Sequence, residues 1–356
     1  MLTIVIPTKN RAPFLKRLLR YYMDVRCPFR VLIGDSSSPD QMEETSQFLF
    51  HEVKNRLQVT HLTYHGAREV QSKGWQADSF MSKLIGYVKT PYVAFYADDD
   101  FAIVPNLQKA VDFLETHPDF SFVCGEAILF TLKSPGTVGE VEGTNRYPQG
   151  SFNQCKVSER LESLFSNYIG LEYGVSRTVQ KQERWGRVFD AKVNNIGGEV
   201  INTAFVVIQG KVYKMDEMLL VRQGHLLQSS RGESDSFNLA FRGCSTDSLV
   251  KLKTIFCNSL QKAEKDLSRE ETEHIIKKCL WSFLVDHLRA LYVAQSPKGF
   301  RRRLLEAVKK NRDLKKCGLY LYSLTSQGKM KLPALLRPSS PYYKDFLPVY
   351  RVITNS

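Results

Sequence analysis

The chain has 356 residues, 43% of them hydrophobic, with seven cysteines and a formal net charge of +13. This length fits one large domain with an appendage, and no apolar run approaches the ~18 residues of a membrane-spanning helix. The cysteines are odd in number without metal-ligand spacing, and the start lacks a charged leader, so we expect a cytoplasmic protein with reduced thiols.

The first hundred residues alternate between predicted strands and helices. Short apolar runs predict four buried strands, at 2–8, 29–35, 59–65 and 90–97. Apolar residues at helical spacing predict three helices between them, at 11–25, 41–57 and 78–89. This alternation is typical of parallel β-α-β units and predicts an α/β domain.

The rest of the chain is less regular up to about residue 246. We predict a helix at 106–120, a strand at 121–132 and a surface loop or hairpin at 134–158. The pattern at 159–235 does not distinguish helix from strand. From 246 onward the pattern is helical. Residues 251–356 hold 22 Lys and Arg against 9 Asp and Glu, which accounts for the whole positive surplus. We therefore predict two domains, 1–245 and a basic helical domain at 246–356.

Polar residues follow three of the predicted strands, at Thr8, Asp35 and Asp98–Asp100. Parallel sheets bind ligands outside the carboxyl ends of their strands, so we expect a binding site at this edge. Three adjacent carboxylates repel one another unless a cation lies among them, and Mg²⁺ or Mn²⁺ prefers oxygen ligands and shares them with phosphates. Strand alternation predicts that Asp98 and Asp100 converge while Asp99 points away. The alternative is a turn in which aspartate caps the following helix.

Four segments resemble, in order and spacing, the family 2 glycosyltransferases of GT-A fold. They are TIVIPTKNR at 3–11, VLIGDSSSPD at 31–40, TPYVAFYADDDF at 90–101 and GGEVINTAFVVIQGKVYKMDEMLLVR at 197–222. The resemblance covers about residues 1–225. It departs from the family at Ser36, where relatives carry a second acidic residue, and in HGAREVQSKGWQAD, which lacks the usual Asn-x-Gly, so the nucleotide stays open.

The resemblance implies roles for the matching residues. The nucleotide-sugar donor would be bound by Thr8, Arg11, Asp35, Lys83, Asp98 and Asp99. Asp35 would hydrogen-bond the base. Asp98 and Asp100, with His225 as a third ligand, would hold Mn²⁺ or Mg²⁺ on the diphosphate. The alternatives are that Arg11 and Lys83 are solvated helix residues and that Asp35 caps a turn.

Direct displacement at an anomeric carbon needs a carboxylate to accept the proton of the acceptor hydroxyl. Three acidic residues are candidates: Glu172, Asp190 and Glu199. We choose Glu199, which follows two glycines that allow close approach and lies in the segment that relatives use for this role. The residue after it is Val200 where relatives usually carry Asp. The alternative is a glutamate that only stabilises a helix start.

The segment 298–316, KGFRRRLLEAVKKNRDLKK, predicts a basic amphipathic helix. It suits peripheral contact with an anionic membrane, an acidic glycan, or a solvated face packed on the main domain. Nucleic acid is an unlikely partner because no nucleic-acid-binding motif is evident.

From these observations we predict an inverting, metal-dependent glycosyltransferase. It would transfer a sugar from a nucleotide-sugar to a glycan or lipid-linked acceptor in surface-polysaccharide assembly, in the cytoplasm or at the inner face of the membrane. One alternative is a sugar-phosphate nucleotidyltransferase, although PTKNRAPF lacks the glycines of a phosphate-binding loop. The other is a non-enzymatic glycan- or nucleic-acid-binding protein on a degenerate scaffold, which the retained triple aspartate disfavours.

Overall fold

The computed structural model describes residues 1–64, 75–191, 195–225, 246–295 and 330–355. The strands are β1 Leu2–Thr8, β2 Arg30–Asp35, β3 Val59–Thr63, β4 Tyr92–Phe95, β5 Phe101–Ala102, β6 Phe120–Leu132, β7 Val141–Arg146, β8 Val175–Arg177 and β9 Lys211–Gln223. The helices of the first part are α1 Ala12–Asp24, α2 Pro39–Phe48, α3 Trp75–Gly86, α4 Val104–Thr116, α5 Val157–Ser166, α6 Thr178–Ala191 and α7 Asn195–Gln209. A π-helical turn, Leu49–Val53, follows α2. The later helices are α8 Thr246–Ala263, α9 Arg269–Gln295, α10 Leu332–Leu335 and α11 Tyr343–Thr354.

The strands form one sheet in the order β3-β2-β1-β4-β8-β6-β9-β5, with β7 paired to β6. The first four strands are parallel, as predicted. β8 lies antiparallel between β4 and β6, and β9 runs parallel to β6. Because β8 is antiparallel to both β4 and β6, β6 runs in the same direction as β4, and so does β9. The strand β9 therefore ends at the same edge of the sheet as β1, β2 and β4.

Helix boundaries follow local chemistry. α1 begins after Arg11 with a proline in its first turn, where the missing N–H costs no hydrogen bond. α4 ends at Thr116, four residues before the predicted end, because the residue before Pro118 disfavours helical dihedrals. The predicted hairpin after β6 is confirmed, since β7 pairs antiparallel with that strand.

The C-terminal helices pack on both faces of the sheet. Phe346, Val349 and Ile353 of α11 are fully buried in the same apolar cluster as α1 and α4. α8 and α9 join a second cluster with α5 and α7. The α/β class with a helical C-terminal part is therefore confirmed, and the division at residue 245 stays a prediction. The predicted basic helix at 298–316 lies outside the described residues.

Along the described part of the chain, no helix is both long enough and apolar enough to cross a membrane.

We expect Phe346→Ala to lower the free energy of unfolding by about 3–5 kcal/mol, because it removes a fully buried aromatic ring and leaves a cavity. Urea denaturation measures the change, and Lys344→Ala, at an exposed position of the same helix, is the control. A loss below about 1 kcal/mol would contradict the packing of α11 into this core.

Candidate active site

The three aspartates lie in a turn rather than in a strand. β4 ends at Phe95, and the turn carries Asp98–Asp100 between β4 and β5. The prediction that Asp98 and Asp100 converge while Asp99 points away is wrong, because strand alternation does not apply within a turn. Asp98 and Asp99 instead share Arg11 as their counter-charge.

Asp98 connects the end of β1 to this turn. Its Oδ2 accepts a hydrogen bond from the Thr8 hydroxyl at 2.7 Å, and its Oδ1 lies 3.2 Å from Nη1 of Arg11. Arg11 stands at the start of α1, directly after Asn10, whose φ of 54° bends the chain out of β1. Asparagine tolerates this left-handed conformation, so the bend brings the guanidinium back over the carboxyl edge of the sheet.

Asp99 binds both Arg11 and His225. Its Oδ2 lies 2.6 Å from Nη2 of Arg11 and 2.7 Å from Nε2 of His225. The histidine follows β9 by two residues and stacks on the Phe14 ring of α1, with centroids 4.9 Å apart. The site thus joins β1, the turn after β4 and the end of β9.

The carboxylates of this turn differ in their pKa. Burial raises the pKa of Asp98 to about 7 even though Arg11 opposes the shift. Burial and the negative charge of Asp99 raise the pKa of Asp100 to about 7. For Asp99, the hydrogen bond from His225 and the charge of Arg11 outweigh burial and lower the pKa to about 2. Of the three carboxylates, Asp99 is therefore the one that stays fully ionised at neutral pH.

Asp100 is placed differently from the other two. Its side chain is 1% exposed and accepts a hydrogen bond from the Gln223 backbone N–H at 3.1 Å. The Tyr173 hydroxyl and the Arg222 guanidinium, the latter at 3.5 Å, complete its surroundings. Its metal role stays a prediction, and in this structure it faces Arg222.

Arg17 lies beneath the turn. Its guanidinium donates to the Asp99 carbonyl at 2.9 Å, the Thr137 carbonyl at 2.6 Å and Gln223 Oε1 at 2.5 Å. Burial lowers the pKa of this arginine to about 10 despite the neighbouring aspartates. Sequence analysis missed Arg17, although a charged residue within the apolar stripe of α1 was a usable signal.

Asp99 and His225 are the side chains of this site that could hold a divalent cation. Within the described ranges, no group of three or more His, Cys, Asp or Glu side chains is arranged to hold a metal ion. These two side chains offer one carboxylate oxygen and one imidazole nitrogen at a single point, 2.7 Å apart. Mg²⁺ and Mn²⁺ commonly use few protein ligands and complete their shell with phosphate oxygens and water. A cation there would replace Arg11 as the counter-charge.

Asp35 and Lys83 lie elsewhere on the same edge. Asp35 is 0% exposed, and its carboxylate is bonded to the Ser37 backbone N–H at 2.9 Å and to His61 Nε2 at 3.1 Å. Burial would raise its pKa, but these hydrogen bonds lower it. Sequence analysis missed His61. The exposed Lys83 lies 5.3 Å above the Tyr64 ring, so both residues line the region after β2 and β3.

The three base candidates have distinct surroundings. Glu199, in the first turns of α7, is solvent-exposed and lies 3.5 Å from the Tyr168 hydroxyl. Desolvation by the surrounding protein and the negative charge of Glu172 raise the pKa of Glu199. Glu172 itself is held by Lys181 at 2.5 Å and by Asn202, which makes it a structural ion pair. Asp190 is exposed on α6.

The comparisons with known proteins support the fold. No protein-family model and no curated protein sequence matches the chain. The structure is similar to solved structures of TarS from S. aureus. TarS 1–349 aligns with a TM-score of 0.52 at 11% identity, over 86% of this chain and 78% of that one. TarS 1–349 in complex with UDP-GlcNAc gives 0.53 at 12%, over 83% and 76%. A third TarS structure gives 0.50 at 13%, over 100% of this chain and 55% of that one.

This likeness confirms the predicted fold class, a GT-A-like α/β fold. At 11–13% identity it shows the fold alone. Membership of family 2 stays a prediction.

Proposed function

We propose that this protein is an inverting glycosyltransferase of the family 2 type, which moves a sugar from a nucleotide-sugar donor to a glycan or lipid-linked acceptor. The observation that carries the proposal is the cluster of Asp98, Asp99, Arg11 and His225 at the carboxyl edge of the sheet. It combines carboxylates, an imidazole and a guanidinium where open α/β sheets bind ligands. The fold shared with TarS, which has been solved with UDP-GlcNAc, supports it.

Asp99 and His225 would hold Mn²⁺ or Mg²⁺, which when bound supplies positive charge to the departing diphosphate. Thr8 and Asp98 fix the turn against β1. With a cation on Asp99, Arg11 would be available to bind a donor phosphate. Asp35 with His61, and Lys83 with Tyr64, would form the nucleoside end of the pocket.

Glu199 is the proposed base. Its carboxylate is exposed to incoming acceptor, and its raised pKa makes it a stronger proton acceptor than an ordinary glutamate. The acceptor oxygen attacks the anomeric carbon, its proton passes to Glu199, and the bond to the diphosphate breaks on the opposite side. This direct displacement inverts the anomeric configuration.

The remaining parts of the proposal concern location and partners. We assign the protein to surface-polysaccharide assembly in the cytoplasm, with peripheral membrane contact through residues 298–316. Flotation with anionic liposomes at low and high salt checks the contact, because electrostatic binding weakens as salt rises. Salt-insensitive binding, or no binding, would reject the membrane contact and leave the proposed glycosyltransferase activity untouched.

The test of the proposed function is a thermal-shift screen of nucleotide-sugars, with UDP-GlcNAc first, in the presence and absence of Mn²⁺. A ligand that binds only the folded state raises the melting temperature by mass action. Transfer is then measured with the best donor, and NMR of the product gives the anomeric configuration. No shift with any nucleotide-sugar would reject the proposal, and a retained configuration would reject inversion.

A further inference from the structure

Arg222, near the end of β9, is held rigidly at the proposed site. Its guanidinium contacts two aromatic rings, 5.0 Å from the Tyr147 centroid and 5.2 Å from the Tyr173 centroid. Nη1 donates a hydrogen bond to the Tyr147 hydroxyl at 2.7 Å, and Nε lies 3.5 Å from Asp100 Oδ2. Two cation–π contacts and one ion pair leave the side chain little rotamer freedom.

Asp100 serves as the anchor of this arginine. A carboxylate with 1% exposure offers no surface to a ligand, whereas Arg222 is 21% exposed. The Tyr173 hydroxyl and the Gln223 N–H fix the carboxylate. The charge that Asp100 and Arg222 together expose at the site is therefore the positive charge of Arg222.

The position of this charge indicates what it binds. Arg222 lies three residues before His225, and its partner Asp100 is next in sequence to Asp99. The guanidinium therefore stands at the same edge of the sheet as the proposed cation-binding residues. In a displacement at an anomeric carbon, the group that gains negative charge on the side of the bound cation is the leaving diphosphate.

We propose that Arg222 binds the diphosphate of the donor and of the nucleoside-diphosphate product, with Asp100, Tyr147 and Tyr173 as positioning residues; this rests on the proposed function. As the bond from the anomeric carbon to the diphosphate oxygen breaks, its electron pair passes to that oxygen, which accepts hydrogen bonds from the guanidinium. The new bond forms to the acceptor oxygen, whose proton goes to Glu199. A planar guanidinium fixed beforehand needs no reorganisation at this step.

Binding of UDP and of uridine, measured by calorimetry and NMR titration, tests the proposal, with GDP and guanosine used if UDP does not bind. Arg222→Gln should weaken UDP binding by roughly 10- to 100-fold and leave uridine binding within about twofold, because a charge-assisted phosphate contact is lost. Arg222→Lys should lie between the two. Arg187→Gln, at an i,i+4 surface pair on α6, is the matched control.

Unchanged UDP affinity in Arg222→Gln would overturn the proposal, and so would an equal loss for UDP and uridine, which indicates structural damage. If no nucleotide-sugar or nucleoside diphosphate binds the unsubstituted protein, the proposed function itself fails.

Asp100→Asn should also weaken UDP binding and leave uridine binding unchanged, because it removes the carboxylate that positions Arg222. The double variant Asp100→Asn/Arg222→Gln should bind UDP no worse than Arg222→Gln alone, because both changes remove one interaction. Additive losses would show that Asp100 contacts the ligand independently of Arg222 and would overturn its positioning role.

Discussion

Asp99→Asn is expected to lower turnover by about 10³-fold and to abolish the Mn²⁺-dependent part of nucleotide binding. The carboxylate of Asp99 meets His225 at 2.7 Å and is the strongest acid of the three, so it stays ionised for a cation. An asparagine amide keeps the size of the side chain but removes the negative charge. Calorimetry of UDP with and without Mn²⁺ measures the loss, and a donor assay measures turnover.

Further variants distinguish Asp99 from Asp100 as the carboxylate that binds the metal. His225→Ala should also lose the Mn²⁺-dependent part, whereas Asp100→Asn should weaken UDP equally with and without Mn²⁺, because it acts through Arg222. Asp119→Asn, at an exposed ion pair with Lys211, is the control. If Asp99→Asn keeps wild-type Mn²⁺ dependence while Asp100→Asn loses it, the assignment made from sequence is correct and ours is wrong.

Glu199→Gln is the second variant for which we expect a large effect. Transfer should fall by about 10²- to 10⁴-fold with donor affinity nearly unchanged, because the amide cannot accept the proton of the acceptor hydroxyl. A base must be deprotonated to act. Since the pKa of Glu199 is raised, activity should be lost as pH falls through a value above the ordinary range of glutamate. The acid limb of the kcat/KM profile measures this.

Asp190→Asn is the matched control for Glu199→Gln, since Asp190 is exposed on α6, and its transfer rate should stay near normal. Glu172→Gln should lower the free energy of unfolding and leave the transfer step itself unchanged. It leaves the buried Lys181 cation unpaired, and burial already lowers the pKa of that lysine to about 8. A normal rate in Glu199→Gln together with a folded but inactive Glu172→Gln would move the base to Glu172.

Strand and helix positions were predictable from sequence where the signal is local. The strands at 2–8 and 121–132 and the helix at 11–25 agree with the structure within a residue, because their apolar periodicity arises from side chains only two to four positions apart. Between 159 and 235 the same reasoning failed. There a three-residue strand, β8, is inserted between β4 and β6, too short to leave a periodic pattern.

The sequence by itself determined the α/β class and the carboxylates at the strand ends, since both follow from residues close together in the chain. Only the tertiary structure decided which cation faces which carboxylate. His225 meets Asp99 across 126 residues, and the Gln223 N–H meets Asp100 across 123. These contacts depend on the sheet order, which places the end of β9 at the edge where β1 and β4 end. Sheet order is set by the packing of whole elements, which no local pattern encodes, and it placed Arg222 against Asp100 and His225 against Asp99.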